Sequence, residues 1–457
     1  MVSRLTDSEL YGHLWGTPEA RAIFEERARL QAWLDILAAL AAVQAEMGIV
    51  PAEAAAAIQR GARVELLDLG YVAEETRRTG HSTLGLIRGL ERVLPGEARG
   101  WVYYGATVQD VTDTWAALAM RRVSGIVWRD LRALEGSLLD LAARHRDTPM
   151  AGRTHGQPGA LITFGFKAAG WADEVRRHLD RLREGGPRWF VGQLGGAVGT
   201  LGFFGEQGPE LRRRFCARLG LSDPGISWTS ARDRLAEFAL VLAMVAQTLA
   251  RIGNEVYQLQ REEIGEVLEP ASPEQVGSIT MPHKRNPERA EHLVTLARLV
   301  RTQAAVMLEG MVAEHERDGR AWKAEWPAFP EACLLAAAAL HFARGLVEGL
   351  EVRAEAMAAG VDRRRGYLAS EQVLAALAPK LGKHRAQALL QEVLARGRRE
   401  GLAMDEALRS APELAAHLDA GEIRRALEPR PGSAPQQVDE ALARIRAARE
   451  RDPETWP

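Results

Sequence analysis

Residues 229 to 260 read TSARDRLAEFALVLAMVAQTLARIGNEVYQLQ, and this stretch decides the fold. Phe238, Val241, Val245, Leu249, Ile252, Val256 and Leu259 recur at steps of three and four, so they share one helical face. No proline falls between Pro224 and Pro270, and Thr229 or Ser230 is placed to cap the start. An uninterrupted helix of about 35 residues is roughly 50 Å long. Proline-free stretches of similar kind lie between Pro158 and Pro187 and between Pro287 and Pro327. Several such helices pack as a long bundle rather than a compact globule.

Working outward, residues 18 to 48 form another apolar-periodic helix with Pro18 in its first turn. Strand-like alternation is scarce. After about Val361 the helices shorten, and 427 to 436 is rich in Pro and turn formers. The expected organisation is all-α, a long central helical bundle flanked by two smaller helical domains. The N-terminal helical domain covers 1–110, the bundle and oligomer core 111–360, and the C-terminal helical domain 361–457.

The chain has 457 residues, 46% hydrophobic and 26% charged, with a net charge of -2. That balance gives no reason to expect nucleic acid or an anionic membrane as a partner. Cys216 and Cys333 stand alone in apolar helical context and read as buried, inert thiols. The start MVSRLTDSELYG has no apolar core of signal-peptide length, and no uncharged apolar run reaches membrane-spanning length. A cytoplasmic protein is expected. No Cys/His spacing suits a metal, and GGAVG at 195 to 199 lacks the Lys-Ser/Thr of a phosphate loop, so neither metal nor cofactor is expected.

Chemistry concentrates in GSITMPHKRNP at 277 to 287. Pro270, Pro273, Pro282 and Pro287 break helix around it, leaving a loop between two long helices. It holds a hydroxyl, a lysine and an amide beside a glycine. A serine acts as a base only where backbone donors and positive charge stabilise its alkoxide, and Lys284 supplies charge of that kind. Taken alone, these residues leave a functional lid and an ordinary basic surface loop about equally open.

GSITMPHKRNP resembles the GSSxMPxKxNP loop of the fumarase/aspartase superfamily. GATVQDVTDT at 105 to 114 is similar to its GATSQDxxDT, and GRTHGQP at 152 to 158 resembles its GRTHxQxA. The resemblance spans nearly the whole chain. It implies the fold above, homotetramers in which three subunits build each active site, and a small dicarboxylate or tricarboxylate substrate. It implies Ser278 as catalytic base and Lys284 and Asn286 as contacts to a substrate carboxylate. It implies His155 as general acid, with His81 as a second active-site histidine. Thr107, Gln109, Arg153, Thr154, Gln157, Met281 and Arg317 are expected to bind substrate. His283 and His315 suit a pocket rim as well as a pocket. Val108 replaces the family's usual serine, which removes one hydroxyl from the expected carboxylate clamp.

Within the superfamily, WTSARDRLAEFA at 228 to 239 and EHERDGRAWKAEW at 314 to 326 are similar to 3-carboxy-cis,cis-muconate cycloisomerases. Adenylosuccinate lyases carry a Ser-Ser-Arg cluster after EHERD that holds a phosphate; here Trp322, Lys323 and Trp326 occupy the region. A cycloisomerase expels a carboxylate, which needs no proton, whereas expelling a more basic group needs an acid. Retention of His81 and His155 therefore favours β-elimination from a substituted succinate to a fumarate-like product, with carbon–nitrogen cleavage the expected type and carbon–oxygen cleavage the other. The cycloisomerase, adenylosuccinate lyase and a catalytically silent relative are the alternatives. Retention of Ser278, Lys284 and His155 argues against the silent one.

Overall fold

The computed structural model describes residues 4–272, 274 and 276–456. Residues 1–3 of the N-terminal stretch and Pro273 of the loop flank lie outside the described residues. The chain is 68% helix and 4% strand. Five helices form the bundle: α1 (Val108–Arg144), α2 (Phe164–Trp189), α3 (Asp233–Gln260), α4 (Glu288–Glu309) and α5 (Gly319–Glu348). The face read from residues 238 to 259 is the core face, with Phe238, Val245, Leu249, Ile252 and Val256 wholly buried.

Cross-links between the helices fix their directions. Lys167 Nζ meets Glu255 at 2.7 Å, His178 meets Thr248 at 2.9 Å and Trp189 donates to Glu237 at 2.9 Å, so α2 runs antiparallel to α3. Gln247 donates to the Ala297 carbonyl, and a side chain at Gly253 would meet the Ala290 carbonyl, so α4 is also antiparallel. Arg232, at the N-cap of α3, bonds Asp113 near the start of α1 and Glu325 near the start of α5. Those two helices therefore run parallel to α3. With 28 residues, α3 is about 42 Å long.

Three expectations need correction. The expected cap of α3 is absent: the Thr229 hydroxyl donates instead to the Glu316 carbonyl, and the helix starts at Asp233 without a side-chain cap. The single helix expected over 18 to 48 is broken at Glu25, whose extended ψ of 142° separates Pro18–Phe24 from Glu26–Glu46. Strand is also present where none was anticipated: β1 (Pro149–Thr154) and β2 (Gln157–Thr163) form an antiparallel hairpin leading into α2.

Two smaller apolar clusters flank the main one. The first gathers Leu34, Val50, Ile58, Val72 and Leu90, the other Val373, Leu377, Leu390 and Leu414. The last helix, α6 (Ala434–Arg451), returns to the bundle and buries Val438, Leu442 and Ile445 in the main core. Two bundle helices, α3 and α5, are long and apolar enough to cross a membrane, yet most of each lies inside the protein. Cys216 and Cys333 are buried and unpaired, and burial pushes the Cys216 thiol up to about 12.

Candidate active site

One group of site residues gathers at the N-terminal end of α1. Thr107 and Asp110, three apart, form a capping box: the Thr107 N–H donates to Asp110 at 2.8 Å. The same carboxylate accepts from Gly195 N–H at 2.7 Å and Gly196 N–H at 3.1 Å. It thereby clamps the GGAVG turn against the helix start. Burial pushes the Asp110 carboxyl up to about 7, against the opposing pull of those three donors. Arg317 Nη2 donates to Thr107 Oγ1 at 2.9 Å and to the Ala197 carbonyl at 3.2 Å, so Thr107 and Arg317 share one surface. Tyr103, at φ +60°, lies beside Thr107 and Thr83, and burial raises its phenol.

His81 is exposed nearby in sequence to Thr83. Its Nδ1 accepts the Leu84 N–H at 3.2 Å, an arrangement that leaves the ring proton on Nε2. Gln109 does not face this surface. It is fully buried, donating to Asp113 at 3.2 Å and to the Thr229 carbonyl at 3.0 Å. Positions 109 and 113 lie one turn apart on the inward face of α1, which takes Gln109 away from the expected substrate contact.

A second group lies beyond the opposite end of α3. In the hairpin, Thr154 pairs with Gln157, and His155 and Gly156 make the two-residue turn at φ +52° and +74°. Two left-handed residues give the turn type whose twist matches its strands. Thr154, His155 and Gln157 are exposed. Arg153, expected to contact substrate, instead makes a two-pronged pair with Glu266 at 2.7 and 2.9 Å. Glu266 is wholly buried, and an ionised carboxylate there requires this partner.

The 277–287 loop is folded on itself. Ser278 Oγ accepts the Met281 N–H at 3.0 Å, and the Lys284 N–H donates to the Met281 carbonyl at 3.0 Å. A backbone donor on Oγ stabilises the alkoxide form that base catalysis needs. Asn286 closes the loop by donating to the Gly277 carbonyl at 2.8 Å. Its amide is thus engaged within the loop. A Cβ on Gly277 would lie 2.3 Å from the Lys284 carbonyl, so only glycine fits. Gln260 donates to the Arg285 carbonyl, and Arg285 reaches the Glu269 carbonyl, anchoring the loop past the end of α3. Met281, His283 and Lys284 are exposed.

Thr107, Arg317 and their supports are therefore tied to the start of α3 through Thr229 and Arg232, and the hairpin and the 277–287 loop to its finish. About 40 Å of helix separates them. No single copy of the chain brings the two groups within reach of one small molecule. Sequence reading missed Asp110, whose three-residue spacing from Thr107 is a readable capping signal, and Glu266, Glu269 and Gln260, which carry none.

Comparison with known proteins gives a consistent result. The Lyase family matches residues 15–302. The chain is 42% identical to N-acetyl-S-(2-succino)cysteine lyase of Dickeya dadantii, over 97% of this chain and 98% of that protein. It is 39% identical to 3-carboxy-cis,cis-muconate cycloisomerase of Pseudomonas aeruginosa, over 97% of each. Its structure resembles that of the 3-carboxy-cis,cis-muconate lactonizing enzyme from Pseudomonas putida, with a TM-score of 0.88, 36% identity, and 96% and 99% of the two chains covered. A loop with the serine–lysine–asparagine pattern, a histidine-tipped hairpin and a five-helix bundle accompany full-length similarity to these enzymes, and the chain belongs to the fumarase/aspartase superfamily of lyases.

Proposed function

We propose that this protein is a cytoplasmic, homotetrameric lyase that cleaves the carbon–sulfur bond of an S-substituted 2-succinate, releasing fumarate and a thiol. The observation that carries the reading is the full-length similarity to N-acetyl-S-(2-succino)cysteine lyase, in a chain that keeps Ser278, Lys284 and both histidines. In the reaction, Ser278 as alkoxide takes a proton from C3, the carbon beside the distal carboxylate. Lys284 balances the charge that develops on that carboxylate. The electron pair forms the C2–C3 double bond, the C2–S bond breaks, and sulfur leaves with the pair. His155 protonates the departing thiolate. Thr107 and Arg317 bind the substrate from the other end of a neighbouring copy.

Support for shared sites comes from the 40 Å separation and from apolar side chains left exposed on bundle helices, Leu240 and Met244 on α3 and Leu299 and Leu308 on α4.

A cysteine thiol has a pKa of about 8.5, well below that of an alkylammonium, so it depends less on an acid. The test is fumarate release from N-acetyl-S-(2-succino)cysteine, with carboxymuconate and adenylosuccinate assayed alongside. His155→Asn tolerates the left-handed turn and cannot deliver a proton. It is expected to lower kcat about 10- to 100-fold for the thioether, below the 10²- to 10⁴-fold usual when a more basic group leaves. Turnover of carboxymuconate with no fumarate from any succinothioether would replace this reading with the cycloisomerase. That second reading rests on the EHERDGRAWKAEW segment.

A further inference from the structure

Beside the Thr107 surface lies a cavity of 440 Å³ with walls from the helices Glu26–Glu46 and Leu69–Thr79 and the first turns of α1 and α5. It touches Ser82, next to His81, and Thr112, about one turn along α1 from Val108, so it opens beside the expected substrate position. Its walls are aromatic. Trp322 and Trp326 pack edge to face at 4.9 Å, and Trp33 meets Trp115 at 6.5 Å.

The charged lining residues divide into two kinds. Asp113 and Glu325 are held by Arg232. Arg29 and Arg77 are not held. Arg78 and Arg88 nearby pair with Glu75, yet Arg29 and Arg77 have no carboxylate partner among the described residues. Glu26, the remaining charged lining residue, is exposed. Arg29 lies with its guanidinium carbon 5.9 Å from the Trp33 ring centre, and its Nε is buried without a hydrogen-bond partner. Two more lining residues, Trp33 and Thr112, also hold a buried donor with no partner, and Thr112 is only 8% exposed. These three atoms are covered by protein rather than open to the cavity, which leaves the guanidiniums of Arg29 and of the exposed Arg77 as its cationic lining groups.

We infer that this cavity receives the leaving-group half of the substrate, and that this half is a carboxylate-bearing, acylated thiol whose carboxylate meets Arg29 and Arg77 while its apolar arm lies against Trp322 and Trp326. The inference rests on the carbon–sulfur lyase reading above. An aromatic wall takes the acyl group, and two unpaired guanidiniums select an anion. A nucleotide phosphate finds no cluster of hydroxyl and guanidinium donors at Trp322 and Trp326.

Two measurements test it. In the first, kcat/KM is compared for N-acetyl-S-(2-succino)cysteine and N-acetyl-S-(2-succino)cysteamine, which lacks the leaving group's carboxylate. Wild type is expected to favour the former by about 10- to 100-fold, mostly through KM, as charged hydrogen bonds allow. In R29Q/R77Q that ratio is expected to fall to within a few-fold. Trp322→Ala is expected to raise KM for both substrates and leave the ratio standing. The second measurement titrates the enzyme with S-methyl-N-acetylcysteine and follows tryptophan fluorescence. A saturable response in wild type, lost in R29Q/R77Q, supports the cavity assignment. Turnover of both thioethers with no preference and no fluorescence response overturns the cavity and leaves the lyase reading in place. A preference unchanged in R29Q/R77Q overturns the role of the two arginines. No turnover of either thioether overturns the lyase reading, and the fluorescence titration then decides the cavity alone.

Discussion

Thr107 and Ser278 stand at opposite ends of one bundle, in opposite surroundings. Thr107 begins a buried clamp in which a single carboxylate, Asp110, holds three backbone N–H groups and pins a glycine turn. Ser278 sits in a loop whose hydrogen bonds are mostly its own, with exposed neighbours at Ile279, Met281 and Lys284. The first end is set by packing before any substrate arrives. The second is anchored at its root by Gln260 and Glu269 and left open at its tip. A binding surface gains from rigidity. A loop that must close over substrate gains from having few contacts to break.

The largest expected effect tests the open end. Ser278→Ala is expected to lower kcat by about 10³- to 10⁴-fold while leaving the circular dichroism and thermal midpoint unchanged. Near-normal turnover would remove Ser278 from the chemistry and the 277–287 loop from the site.

Arg153 is next. It lies beside the open end yet is engaged as a buried support. Arg153→Met leaves Glu266 without its partner and is expected to destabilise the fold by about 3–5 kcal/mol in chemical denaturation. An unchanged denaturation midpoint with lost activity would return Arg153 to the substrate.

Asp110 tests the clamp. Burial lifts its carboxyl to about 7 from an ordinary 3.8. A raised carboxyl favours the protonated folded state. Its stabilising contribution is therefore full below about pH 4 and is lost as pH climbs to about 7. Relative to Asp110→Asn, which does not titrate, the wild-type melting temperature is expected to fall across that window and level off above it. A constant difference from pH 4 to 8 would contradict the buried placement.

The smallest effect tests the division itself. Ser278→Ala and Thr107→Val each disable one end. If a site draws its ends from different copies, an equal mixture of the refolded variants leaves about one site in four with both ends intact, assuming random assembly into closed oligomers. Recovery no greater than the sum of the separate variants would place both ends in one copy.

Much of this was readable beforehand. The face from Phe238 to Leu259 announced α3 because buried apolar residues must recur at helical spacing. The 277–287 loop was readable because glycine and proline leave few other options. Other parts were not. GRTHGQPGALIT lacks clean alternation, and a His-Gly pair is an uncommon turn, so the hairpin left no clear signal. Gln109 and Arg153 carry motif positions that a sequence cannot distinguish as inward or outward, because facing depends on which helix or loop packs against them. Thr229 lost its capping role to a carbonyl 87 residues away, a contact that no local pattern records.

The Asp113–Arg232–Glu325 triad has a further consequence for folding. Arg232 is separated from its two partners by 119 and 93 residues, so three distant helices must dock before all three charges are matched. A bundle in which one helix slips by a turn strands a buried charge, at a penalty of several kcal/mol. The triad thus acts as a proofreading step on helix register. Because Gln109 and Thr229 hang from the same network, the register it fixes also sets where the Thr107 surface lies.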